Sequence, residues 1–236
     1  VTSGCPPACP GTLIRSTNFR LPSFGEDALE PNLKPMQQQE FTLGLDRELS
    51  PIMAVSLRYV HKNIIRIIED TGFLTPTGDE GYVIANPGEG LTKYAFSDPL
   101  VAMPKPKRDY DSVEFAFEKR FADQWFLRTS YLWSRLYGNS SGLSQSDESG
   151  RTSPNVGRAF DYPLMMFDGQ GQPVYGLLAT DRPHQFKMQG IYAFAFGTSV
   201  GANLYVASGI PITRELSVIP PNNFPVQYQG RASDGR

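Results

Sequence analysis

Two histidines and two cysteines in 236 residues leave little from which to build a metal centre, a nucleophile–base pair or a disulfide framework. No segment approaches the roughly 18 apolar residues of a membrane-crossing helix, and mean hydropathy is −0.32. Net charge is −2 and the pI is near 5.8, so nothing in the balance of charge suggests nucleic acid as a partner. HExxH, P-loop and GxGxxG patterns are missing. These absences argue against an enzyme and against any bound cofactor. Proline is plentiful, at 20 residues, yet it is missing from six particular stretches.

Those stretches alternate between apolar and polar residues. From 109 to 121, Val113, Phe115, Phe117 and Phe121 alternate with Ser112, Glu114, Glu118 and Arg120. From 125 to 137, Trp125, Leu127, Tyr131, Trp133 and Tyr137 alternate with Gln124, Arg128, Ser130 and Ser134, and only Ala122, Asp123 and Gln124 intervene. Strict period-2 patterning puts one set of side chains on each face of a sheet. The unit recurs at 38–48 (Phe41, Leu43, Leu45) and 52–63 (Met53, Val55, Leu57, Tyr59), joined through Leu49, Ser50 and Pro51. It recurs again at 185–196 (Phe186, Met188, Tyr192, Phe194, Phe196) and 199–208 (Val200, Leu204, Val206), joined at Gly197 and Thr198. Short connections between alternating runs predict three hairpins. Proline cannot donate to a β-ladder, which is why these six segments exclude it.

Two alternatives share this pattern. Soluble β-sandwich strands alternate as well, but they usually run about five or six residues. Runs of ten or more, with aromatics near both ends of the apolar face, are what a bilayer-crossing strand requires. The connections are also lopsided: two or three residues on one side, against 64–108 and 138–184 on the other. Outer-membrane barrels combine short periplasmic turns with long extracellular loops in this way. Tyr59, Tyr110, Trp133, Tyr137 and Phe186 are then expected at the long-loop end, and Phe121, Trp125 and Phe196 at the short-turn end, as two interfacial girdles.

The expected fold is all-β, a portion of an antiparallel transmembrane β-barrel of about six strands. Residues 1–37 are expected as a polar extracellular segment, 38–208 as the barrel portion, and 209–236 as the start of a further loop without another strand. Leu43, Val55, Leu57, Val113, Phe115, Phe117, Leu127, Met188 and Leu204 are expected to face lipid. Glu40, Arg58, Glu114, Arg128, Lys187 and Gln189 are expected to face the lumen, either lining a ligand path or simply forming a wet wall. Six strands are fewer than the eight of the smallest bacterial barrels. The chain starts at Val1 without a signal peptide and stops at Arg236 in a polar tail, so an internal piece of a larger barrel is expected.

Other chemistry is sparse. Cys5 and Cys9, in Cys5-Pro6-Pro7-Ala8-Cys9, lack the further ligands zinc needs, and a small disulfide is the expectation in an oxidising compartment. His61 is expected as an interfacial side chain, and His184 as a structural one at a strand entrance. Asp79-Glu80 and Asp147-Glu148 read as solvated loop charge, since their spacing defines no calcium cage. Asn139-Ser140-Ser141 fits a glycosylation pattern that carries little weight in a bacterium.

The stretch Tyr110-Asp111-Ser112-Val113-Glu114-Phe115 through Lys119-Arg120-Phe121, then Trp125 and Ser130-Tyr131, resembles a strand pair of TonB-dependent outer-membrane receptors. Pro31-Asn32-Leu33-Lys34-Pro35, Phe160-Asp161-Tyr162-Pro163, Asp181-Arg182-Pro183-His184-Gln185 and Ser208-Gly209-Ile210-Pro211 are similar to the Oar-like subgroup. That subgroup carries a carboxypeptidase-regulatory-like domain at its N-terminus. The resemblance covers about 30–215 and rests on the order of the motifs. It implies a barrel around a plug, driven through the TonB–ExbB–ExbD complex to take up a scarce or large ligand at the outer membrane of a Gram-negative-type bacterium. Plug, TonB box and closing strand are not in this chain, so its partners are expected to be outer-membrane lipid and the rest of its own barrel. A surface structural, adhesive or export-associated role is the alternative.

Overall fold

The computed structural model describes residues 29–77, 80–97, 100–140, 160, 163–218 and 226–231. Apart from two short 3-10 turns, at Gly90–Thr92 and Pro163–Met166, its regular structure is all strand. In chain order these are β1 (Gln37–Ser50), β2 (Met53–Arg66), β3 (Glu69–Leu74), β4 (Glu80–Ala85), β5 (Tyr94–Ser97), β6 (Leu100–Ala102), β7 (Arg108–Ala122), β8 (Trp125–Gly138), β9 (Gly176–Leu177), β10 (His184–Ala193), β11 (Ser199–Ala207), β12 (Thr213–Val218) and β13 (Val226–Arg231). No helix among the described residues is long and apolar enough to cross a membrane.

The six predicted strands form one antiparallel sheet in the order β1-β2-β7-β8-β10-β11. Each strand pairs with the next predicted one, so the sheet is a plain meander once the long insertions are set aside. β1, β2 and β8 run 14 residues and β7 runs 15. A tilted bilayer-crossing strand needs about 9–11 residues. At the long-loop end β9 adds a short pairing to β8.

The turns differ in detail from the sequence expectation. β1 continues through Ser50 and the turn is Pro51–Ile52, with Leu49 as an extra residue in the ladder. β7 continues through Ala122, leaving Asp123 and Gln124 as a two-residue turn. Both have positive φ, 54° and 72°, the backbone of the turn type whose twist matches paired strands. The ladder steps from Lys119↔Leu127 to Ala122↔Trp125, so Arg120 and Phe121 together stand opposite Phe126 in a β-bulge. Phe121 therefore leaves the alternation, and Ala122 takes the apolar register in its place. The third hairpin has a five-residue loop, Phe194–Thr198, closed by Phe194 N–H donating to the Thr198 carbonyl at 2.7 Å. Phe194 and Phe196, expected in a strand, stack in that loop with ring centroids 5.1 Å apart.

Residues 64–108, expected only as a loop, contain a second sheet of order β4-β3-β5-β6. Its strands are three to six residues long, too short for alternation to announce them. Ile67, Ala95 and Met103 pack with Phe160, Met166 and Phe167 of the other insertion in one buried cluster. The two insertions thus fold into a single cap, which holds the cluster that the open sheet lacks. Asn86 ties the cap to the lead-in of β1. It accepts from Lys34 N–H at 2.8 Å and donates to the carbonyls of Lys34 (2.9 Å) and Ile67 (2.7 Å). Beyond β11, where no further strand was expected, β12 and β13 pair as a separate hairpin.

Candidate functional site: a two-faced wall

The cross-strand register sorts side chains without ambiguity. Leu45, Leu57, Phe115, Tyr131, Phe186 and Val206 stand opposite one another in turn, one unbroken apolar row across all six strands. The row toward the insertions is Leu43, Tyr59, Val113, Trp133 and His184. The row toward the short turns is Arg47, Val55, Phe117, Thr129, Met188 and Leu204, with Lys119 and Leu127 beyond it. All nine residues expected to face lipid lie on this one face.

The opposite face reads Gly44, Arg58, Glu114, Leu132 and Gln185 in one row, and Ser56, Ala116, Ser130, Lys187 and Tyr205 in the next. A third row holds Glu118, Arg128, Gln189 and Asn203. All six residues expected to face the lumen lie here. Two cross-strand ion pairs stand on this face: Lys62–Glu40 at 2.9 Å and Arg128–Glu118 at 3.8 Å. Tyr110 also falls here, opposite Lys62 and Leu136. It is on the wrong face for the outer girdle, because its register is even where that of Tyr59 and Trp133 is odd.

The apolar face is open to the surroundings: Leu43 is 63%, Leu45 66%, Phe41 58% and Val200 57% exposed. A water-soluble chain rarely leaves so continuous an apolar surface uncovered. Polar groups on it gather at its two limits. Toward the insertions, Tyr59 donates its hydroxyl to Asp111 Oδ1 at 2.9 Å, and His61 Nδ1 lies 2.8 Å from the same oxygen. Arg135 lies over the Tyr137 ring at 4.6 Å. Toward the short turns, Lys119 is 2% exposed. Its ammonium donates to the carbonyls of Ala122 (2.6 Å) and Trp125 (3.1 Å) and lies 4.1 Å from the Trp125 ring centroid. A lysine that bends back onto turn carbonyls keeps its charge at the edge of the apolar band. Sequence reasoning passed over Lys119, although its odd register beside Phe117 marked it. Within the band, Thr129 is satisfied by the Lys187 carbonyl at 3.1 Å.

The motif Asp181-Arg182-Pro183-His184 closes the insertion end of the sheet. Asp181 Oδ1 accepts from Leu136 N–H at 2.6 Å, Arg182 Nη1 donates to the Ser208 carbonyl at 2.7 Å, and Tyr131 Oη pairs with His184 Nδ1 at 2.7 Å. These bonds join β8, β10 and the end of β11. His184 is thus held in a hydrogen-bonded network at the rim, and His61 sits with Asp111 at the insertion-end limit of the apolar face. Asn139 is 5% exposed, with its side chain bonded to Lys107 N–H (2.7 Å) and the Lys105 carbonyl (3.2 Å), so it offers no free amide for a glycan. Gly138 beside it admits no side chain, because a Cβ there would overlap the Lys107 carbonyl.

Cys5, Cys9, Asp79, Asp147 and Glu148 lie outside the described residues, and Glu80 is described only by its backbone. Among the described residues, no group of three or more His, Cys, Asp or Glu side chains is placed to hold a metal ion. What the arrangement presents is an apolar face with polar side chains gathered at its two limits and a polar face behind it.

Comparison with known proteins agrees with that geometry. The profile of a family described as outer membrane beta barrel domain matches residues 2–209. The TonB-dependent transporter Oar of Myxococcus xanthus is 32% identical over 196 residues, which cover 80% of this chain and 17% of that protein. The chain therefore spans about a sixth of the length of the relative it resembles. No solved structure matches it significantly. The chain belongs to the outer membrane β-barrel domain family, and its six-stranded antiparallel sheet is an open stretch of barrel wall in the outer membrane.

Proposed function

We propose that this chain is part of the barrel of a TonB-dependent receptor that takes up a scarce or large ligand across the outer membrane. The observation that carries the reading is the 32% identity to a TonB-dependent transporter across most of the chain. The separated faces supply its physical basis. The apolar rows face lipid, and Glu40, Arg58, Glu114, Arg128, Lys187 and Gln189 face a water-filled lumen. The turns at Pro51–Ile52, Asp123–Gln124 and Phe194–Thr198 lie in the periplasm, and the folded cap lies outside the cell.

Among the described residues, the outward edges of β1 and β11 pair with no further strand, and lipid offers no hydrogen bonds to replace such a partner. Those edges pair with further strands of the same receptor, whose lumen holds a plug. Energy enters through the TonB–ExbB–ExbD complex acting on that plug, so this segment contributes wall and mouth while coupling occurs elsewhere in the receptor. A transport role of this kind asks for no catalytic residue.

A second reading, a surface role in adhesion or protein export, is favoured by the cap, since an external element with its own buried cluster is suited to binding a partner. Disruption of the host's tonB gene separates the two. Uptake fails in the disrupted strain under the first reading, whereas a passive surface role persists unchanged.

A further inference from the structure

On the polar face, at the insertion end of the sheet, lies a cavity of about 400 Å³ lined in part by Lys62, Arg108, Tyr110, Asp181, Arg182 and Gln185. Three of these side chains are cations and one is a carboxylate. Lys62 is engaged by Glu40, Asp181 accepts from the Leu136 amide, and Arg182 holds the Ser208 carbonyl. Arg108 differs from all of them. It is half-buried, and its buried Nε has no hydrogen-bond partner among the described residues.

A cation withdrawn from water without a counterion costs free energy, and such groups collect at functional sites. The vacant Nε matters for the type of ligand. Side-on recognition of a carboxylate or phosphate uses Nε–H together with one terminal N–H, in a planar two-point match. Neighbours on the face suit the same guest. Tyr110 lies directly across from Lys62 and two residues from Arg108 on one strand, so these groups share one patch of the wall. Diagonal neighbours on one face of a sheet are about 7–8 Å apart, a span an organic anion of modest size bridges.

We propose that this cavity is an anion subsite at the mouth of the barrel, in which Arg108 grips a carboxylate or phosphate group of the ligand, flanked by Lys62 and Arg182. The proposal rests on the reading of the polar face as lumen and narrows the ligand to molecules bearing such a group.

Calorimetric titration of the full-length receptor, in detergent at low salt, with citrate and separately with inorganic phosphate tests it. Binding of citrate alone identifies a carboxylate ligand, binding of phosphate alone a phosphorylated one, and either result supports the subsite. Arg108→Gln then weakens binding about ten-fold or more, and Arg108→Lys weakens it less. Arg120→Gln, a cation at the opposite end of the wall, leaves binding unchanged. Failure of both anions to bind overturns the proposal, as happens when a carboxylate from elsewhere in the receptor already occupies Arg108. Undiminished binding by Arg108→Gln overturns it as well. In either case, labelling of Arg58→Cys and Gln189→Cys by a charged, water-soluble maleimide shows independently whether the lumen reading stands.

Discussion

Substitution of Phe115 by arginine puts a charge at the middle of the face assigned to lipid. Phe115 lies in the central apolar row and four residues from each polar limit on its own strand, Asp111 toward the cap and Lys119 toward the turn. At about 3.4 Å per residue each limit is ~14 Å away along the strand, or ~10 Å along the membrane normal at a tilt near 45°. That is close to the bilayer midplane, where arginine on a barrel's lipid face costs about 2–4 kcal/mol. At about 1.4 kcal/mol per decade, the folding equilibrium shifts roughly thirty-fold to nearly a thousand-fold. The matched control is Ala116→Arg, one residue along and on the opposite face, between Ser56 and Ser130. A solvated lumen position costs little, within about 0.5 kcal/mol. Both variants of the full-length receptor are folded into phospholipid vesicles across a urea series, and the folded fraction is read from the heat-dependent gel shift. Equal costs for the two variants, in either direction, refute the face assignment.

Three further outcomes follow from local geometry. Replacing Asp123-Gln124 by Asn-Gly puts a left-handed-tolerant asparagine and a glycine at the two positive-φ positions, and should stabilise the second hairpin by about 0.4–1 kcal/mol in the same urea series. Asn86→Ala removes three hydrogen bonds, two that join the cap to Lys34 in the lead-in of β1 and one within the cap to the Ile67 carbonyl. A loss of about 1–3 kcal/mol confined to the cap is expected, seen as faster proteolysis within 64–108 while the barrel strands stay protected. Glu89 lies in the cap, where the Lys34 ammonium 2.7 Å away holds its carboxyl below the ordinary value of 4.5. A depressed carboxyl stabilises the fold above its unfolded value and ceases to as pH falls through the lowered one. Amide exchange in the cap should therefore quicken as pH drops below about 4, after correction for the intrinsic rate, and Glu89→Gln should lose that dependence.

The wall was legible in the sequence because period-2 alternation sustained over ten or more residues fixes two faces of a long strand, and the observed register keeps the nine residues expected on the apolar face and the six expected on the polar face apart. Local departures from ladder pairing were not legible. The bulge at Arg120 and Phe121 leaves the composition of the strand apolar and aromatic, so nothing marks Phe121 as displaced. Tyr110 was placed by its residue type, whereas its even register decides the matter. The cap escaped notice because its strands are short and its cluster joins distant parts of the chain. Ile67 is buried in a cluster that Phe160, Met166 and Phe167 of the other insertion complete. Arg108 is a comparable case: a strand-end arginine is ordinary in sequence, and its unpartnered Nε exists only once the rim is folded around it.

The central claim is that one face of this wall meets lipid and the other meets water. Nitroxide side chains placed singly at residues 112 to 117 of β7, in a receptor with Cys5 and Cys9 replaced by serine, measure this directly by their relaxation with oxygen, which concentrates in lipid, and with a water-soluble nickel chelate. Two opposed oscillations of period two are expected, with oxygen favoured at Val113, Phe115 and Phe117 and the chelate at Ser112, Glu114 and Ala116. Oscillations in step with each other, or chelate access at all six positions, contradict it.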